Sequence, residues 1–226
     1  MAQSNPAQSL AGASISWVER GLVPDPLIRA GIRRLCEQRR VEISADDAEA
    51  SGELTERFIE AMRIAPIAPL PHLANEQHYE VPAEFFAKAL GPQRKYSSAW
   101  WPEGTTTLAE AEEHALAMTA ARARLANGQK ILELGCGWGS LTLWMARHFP
   151  ASQIIGVSNS HSQRESIMAR ARAEGLDNVE IRTADINQFT CLGGFDRIVS
   201  VEMFEHLRNW PEMFGRVHDW LKPGGN

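Results

Sequence analysis

Apolar residues recur at helical spacing near the N-terminus and in short runs further on. Ile28, Ile32 and Leu35 fall at i, i+4 and i+7, one stripe of an amphipathic helix. The pattern stays helical from Asp25 to about Met62, and residues before about 15 read as disordered. Pro66, Pro69 and Pro71 interrupt the next stretch. Proline removes backbone donors and blocks helix, so 64–71 reads as a linker or an extended boundary. The expected organisation is an N-terminal helical region over 1–75 and a second domain over 76–226. Thr107 and Glu110 have the spacing of a capping box. The helix they open presents Leu108, Ala111, Ala115, Met118, Ala121 and Leu125 on one face, and Asn127-Gly128 stops it.

From Lys130 onward short apolar runs alternate with helical segments. Strands are expected at Lys130–Leu134, Gln153–Val157, Val179–Ile181 and Phe195–Val201. Helices are expected at Ser140–His148, from about Ser162 to Glu174, and at Trp210–Leu221, with Pro211 in the first turn. Strand–helix alternation implies an α/β fold with a parallel sheet covered by helices.

Composition narrows the class. Of 226 residues, 44% are hydrophobic and 23% charged, the balance of a soluble globular chain. A net charge of −5 offers nothing to nucleic acid as a general partner. No apolar run approaches the ~20 residues that cross a bilayer, and the first twelve residues lack the charged-then-apolar order of a signal peptide. Cys36, Cys136 and Cys191 are odd in number and lack metal-type spacing, as in a reducing, cytoplasmic compartment. Arg29, Arg33, Arg34, Arg39 and Arg40 read as a solvated helix face. Contact with a membrane surface or an acidic substrate is the alternative.

The strongest chemical signal is Ile131-Leu132-Glu133-Leu134-Gly135-Cys136-Gly137-Trp138-Gly139-Ser140. An apolar strand runs into three alternating glycines and a helix begins at once. Glycine leaves room for a ligand against the chain, and the helix start offers unpaired amides. The spacing is Gly-x-Gly-x-Gly, not the Gly-x-Gly-x-x-Gly of dinucleotide sites. Glu133 would repel a pyrophosphate and suits a cationic group such as an ammonium. Cys136 reads as a small filler.

These residues resemble motif I of Rossmann-type methyltransferases. The resemblance implies that Gly135, Gly137 and Gly139 approach the methionine part of S-adenosylmethionine, with Glu133 orienting its amino group. Asp185, followed by Ile186, matches the family acid that accepts from the adenine amino group. His78-Tyr79-Glu80-Val81-Pro82, Tyr96-Ser97-Ser98 and the segment from Gly156 to Gln163 are similar to cyclopropane-fatty-acid synthases. That similarity adds Tyr96, Ser97, Asn159, Ser160 and Gln163 to the cofactor set. The second strand ends without the acid that many methyltransferases use for the ribose, and the cyclopropane-synthase pattern has none there either.

Two departures separate the chain from those synthases. Ser98 stands where they carry a cysteine, and Glu202-Met203-Phe204-Glu205-His206 stands where they read Gly-Met-Phe-Glu-His. The second form resembles the coclaurine N-methyltransferase branch. It implies His206 as base, Glu205 tuning or sharing that role, and Glu202 positioning substrate or cofactor. No metal is implied. Trp100, Trp101, Phe204 and Trp210 are candidates for an aromatic amine pocket, with core packing the alternative for each. By the same resemblance the Rossmann-like sheet stops after strand four of seven, so the chain reads as a fragment, with a homodimer or a complementing C-terminal segment as the candidates to complete it. The leading expectation is N-methylation of a small-molecule amine. Methylene transfer to unsaturated lipid acyl chains and a non-catalytic cofactor-binding scaffold stay open.

Overall fold

The computed structural model describes residues 15–69 and 82–226. The chain divides into two compact units, residues 1–60 and 61–226. The boundary expected at 75/76, the disorder expected before residue 15 and the His78–Val81 motif lie outside the described residues. No helix among the described residues is long and apolar enough to cross a membrane.

The N-terminal helical stretch is two helices, α1 (Asp25–Glu42) and α2 (Ala48–Ile64). Ser44 between them takes a left-handed backbone (φ 49°), which ends α1. The Asp47 carboxylate then accepts from the Ala50 amide at 3.0 Å and restarts the helix. Arg39 and Arg40 pair with Glu42, Glu37 and Asp46 at exposed positions.

The second unit is built on α3 (Ala83–Ala89), α4 (Leu108–Arg122), β1 (Lys130–Leu134), α5 (Ser140–His148), β2 (Gln153–Ser158), α6 (His161–Ala173), β3 (Val179–Thr183), β4 (Arg197–Ser200), a 3-10 turn at Phe204–His206, and α7 (Trp210–Trp220). The four strands form a parallel sheet in the order β3-β2-β1-β4. β1 is interior to the sheet and buried on both faces, as parallel strands are. Ile131 and Ile154 pack with Leu116 and Ala120 of α4 and with Leu141, Trp144 and Met145 of α5. Leu132, Leu134, Ile155 and Val157 pack on the opposite side with Met213 and Trp220 of α7.

Three expectations are corrected in part. Residues 65–69 are non-helical, as the prolines predict, but no free linker: Ile67 and Ala68 are buried in the α7 face. Asn187 exchanges hydrogen bonds with Ala68 (2.9 and 2.8 Å), and the Asn209 amide donates to the carbonyls of Arg63 and Ala65. Strand four begins at Arg197, because Phe195 instead bridges to Leu221. The Ile198 amide donates to the Asn226 carbonyl, so residues 221–226 run along the outer side of β4. The expected face of α4 holds in part: Ala111 and Ala115 are buried, but Leu108 and Ala121 are exposed, and Glu112, Leu116 and Ala120 are buried in addition. Its capping box forms as the spacing predicts.

Candidate functional site

β1 ends in a glycine turn that lies against two adjoining cavities. The backbone is left-handed at Gly135, Gly137 and Gly139 (φ 77°, 51° and 78°). At Gly137 a Cβ would meet nothing within 4 Å, so its backbone stands open to the cavity. Gly156 of β2 lets Cys136 sit beneath the turn, since a Cβ there would come within 3.2 Å of the sulfur. Cys136 is accordingly buried, and desolvation, then the neighbouring Glu133, push its thiol well above the ordinary range. It is a filler, not a nucleophile.

The first cavity, about 100 Å³, lies between the glycine turn and a strap at 91–98, and includes Tyr96, Ser97, Glu133, Gly135, Gly137 and Glu202 in its lining. Glu133 is 3% exposed and accepts from Thr142 Oγ1 at 2.5 Å. Burial pushes its pKa up to about 7, against the pull of the Thr142 hydroxyl. A buried carboxylate of that kind gains most from a cation. Trp138 Nε1 and Ser140 Oγ are buried beside the same cavity without a hydrogen-bond partner.

The second cavity, about 130 Å³, is lined by residues including Gly135, Gly137, Asn159, Gln163, Ile186 and His206. Ser158 Oγ donates to Gln163 Oε1 at 2.6 Å. That bond orients the side-chain amide and leaves Gln163 Nε2 buried and unpartnered. Ser160 accepts from the Gln163 backbone amide and caps α6. Asp185 Oδ1 accepts from the backbone and side-chain nitrogens of Asn187, which steadies the loop carrying Ile186. Gly139 packs against Ile167. These last three residues frame the site rather than line it.

Glu202 belongs to the lining of both cavities and of a third, open cleft with Phe204, Glu205, Trp210 and Phe214. It follows β4 with a left-handed backbone (φ 54°). Its carboxylate accepts from Ser97 Oγ and, at 2.6 Å, from Ser98 Oγ. Those two hydroxyls hold it below the ordinary carboxylate range. Glu205 faces the open cleft, whereas His206 faces the second cavity. The aromatic wall comprises Phe204, Trp210 and Phe214, with Phe204 and Phe214 centroids 5.3 Å apart. Trp100 and Trp101 are not in that wall: the Trp100 amide bonds Ala111 and its ring lies near His114 on α4.

Several lining residues carry no local sequence signal: Ala68, Leu116, Thr119 and Leu207 read only as apolar or small positions of their elements. Among the described residues no group of three or more His, Cys, Asp or Glu could hold a metal ion.

Ligand groups at the carboxyl ends of parallel strands, over a glycine turn and beside a buried acid, are the arrangement of Rossmann-like S-adenosylmethionine-dependent methyltransferases, and the chain is of that class. Comparison with known proteins narrows it further. The family model described as Mycolic acid cyclopropane synthetase matches residues 71–226, and the chain belongs to this family. It is 33% identical over 224 residues to an (S)-coclaurine N-methyltransferase of Thalictrum flavum subsp. glaucum, covering 99% of this chain and 62% of that one. It is 37% identical over 155 residues to a cyclopropane-fatty-acyl-phospholipid synthase of Escherichia coli (strain K12), covering 68% and 39%. The crystal structure of a coclaurine N-methyltransferase bound to N-methylheliamine and SAH superposes with a TM-score of 0.84 at 32% identity, covering 96% and 62%. The chain thus spans less than two thirds of the length of these relatives.

Proposed function

We propose that the chain binds S-adenosylmethionine across the first two cavities and methylates the nitrogen of a small-molecule amine. The carrying observation is Glu202, one carboxylate shared by the two cofactor cavities and by an acidic, aromatic cleft. The donor set fits the cofactor. Glu133 suits its ammonium, the buried Trp138 Nε1 and Ser140 Oγ offer donors beside the same cavity, and Gln163 Nε2 offers one to the nucleoside. When bound, S-adenosylmethionine supplies a methyl group activated by a sulfonium.

The protein's residues then attract, orient and deprotonate the acceptor. Glu202 and Glu205 favour an ammonium at the cleft, and Phe204, Trp210 and Phe214 give it aromatic walls of the kind that attract a cation. An amine has no free lone pair until it loses its proton, so a base is required. His206, which lines the second cavity where Glu202 joins it to the cleft, takes that proton on an imidazole nitrogen in this reading, while Glu205 keeps the cleft side acidic. The coclaurine relative and the amine-bound structure support the amine class. The Escherichia coli synthase keeps lipid cyclopropanation as the second reading.

The test incubates the chain with S-adenosylmethionine and a panel of arylalkyl amines, or with unsaturated phospholipid vesicles, and follows products by mass. Methylated amine is expected. His206→Ala should lower kcat at saturating S-adenosylmethionine by about 100-fold or more, a readout that separates the base from any contact His206 makes with the cofactor in the second cavity. Cyclopropanated lipid without methylated amine would sink the proposal.

A further inference from the structure

The strap that faces the first cavity is held from behind by a buried acid. Glu112 of α4 is wholly buried, and its two carboxylate oxygens accept from the backbone amides of Gln93 and Lys95, each at 2.9 Å. Gly91 makes room for it: a Cβ there would lie 2.3 Å from Glu112 Oε2. Arg170 of α6 adds a second tie, donating to the carbonyls of Pro92 on the strap and Trp138 in the glycine turn. One face of this segment is thus fastened to the scaffold. Its other side brings Tyr96 and Ser97 to the cavity, and Ser97 and Ser98 to Glu202.

We infer that Glu112 is a positioning residue for the amino-acid end of the cofactor, setting the strap so that Tyr96 and Ser97 meet that end in register. Glu112 lines neither cavity and acts only through the strap. The strap contributes Arg94, Lys95, Tyr96 and Ser97 to the first cavity and no residue to the second. Loosening it should therefore affect the amino-acid end more than the nucleoside, whose cavity the strap reaches only through Glu202. A paired acceptor is needed because two partly buried backbone donors, at Gln93 and Lys95, converge on one carboxylate. A carboxamide has one acceptor oxygen and turns N–H toward the other amide. The inference rests on the cofactor reading above.

The experiment compares two ligands by calorimetry. S-adenosylhomocysteine carries the amino-acid end, and methylthioadenosine lacks it. Glu112→Gln is expected to weaken the first by about tenfold and the second by less than about twofold. Gly91→Ala pushes a methyl into the carboxylate while keeping its charge, and should give the same selective loss if Glu112→Gln fails to fold. Equal loss of both ligands, unchanged S-adenosylhomocysteine affinity, or failure of both variants to fold would overturn the positioning role. Wild-type protein that binds neither ligand would instead remove the cofactor reading beneath it.

Discussion

Glu133 shows how one residue carries both a cost and a use. A carboxyl in water ionises near 4.5, and burial moves this one to about 7. The folded state therefore holds the proton more tightly than the unfolded chain. Stability falls as pH rises from about 4.5 through 7, and levels off above that. Glu133→Gln keeps an oxygen for Thr142 and removes the titration. Relative to wild type, the variant should gain about 3 kcal/mol between pH 4.5 and pH 8, read from urea unfolding at each pH. A parallel pH dependence in both proteins would contradict the burial argument. The same carboxylate should favour cofactor binding as pH rises, because an ammonium repays an anion that the empty pocket disfavours.

At the scale of elements, the turn from β1 into α5 is the tightest constraint on the site. Gly139 is the N-cap of α5 with a left-handed backbone. A Cβ on it would also lie 2.7 Å from Ile167, which is fully buried on α6. Gly139→Ala therefore meets backbone strain and a steric clash together. It should cost about 2–4 kcal/mol of stability in denaturant unfolding. A loss under about 0.5 kcal/mol would mean that α6 can shift freely, against the packing described. α4 gives the complementary lesson. Its start was legible in Thr107 and Glu110, and its buried face in part. The periodicity nominated Ala111 and Ala115, which are buried, and also Leu108 and Ala121, which are exposed, while Glu112, Leu116 and Ala120 were not nominated and are buried. The acid goes inward because two amides of a preceding segment need its oxygens.

At the scale of the whole molecule, the second unit closes its own core. Every residue of the three buried clusters lies at Ile67 or later, and α1 and α2 bury no residue completely. A chain beginning at Ala61 is therefore expected to fold, with a melting temperature within about 3 °C of the full chain. A drop beyond about 10 °C would show that residues 1–60 support that core after all. The placement of 65–69 belongs to this scale too. Its prolines read as a boundary, yet its backbone is claimed by Asn187 and Asn209, more than a hundred residues further along.

By itself the sequence determined whatever depends on neighbours within a turn or a strand. That covers the parallel strand–helix alternation, the capping box, the glycine turn with Glu133 before it, and family membership through motifs in fixed order. Tertiary structure decided what depends on partners remote in the chain. It put Glu202 between two serine hydroxyls and at the meeting of three cavities, sent Glu205 and His206 toward different ones, left Trp100 and Trp101 off the aromatic wall, and turned Glu112 inward. The physical reason is range. Backbone propensity and hydrophobic period act over a few residues, while a buried polar group takes whichever partner the folded topology brings within about 3 Å.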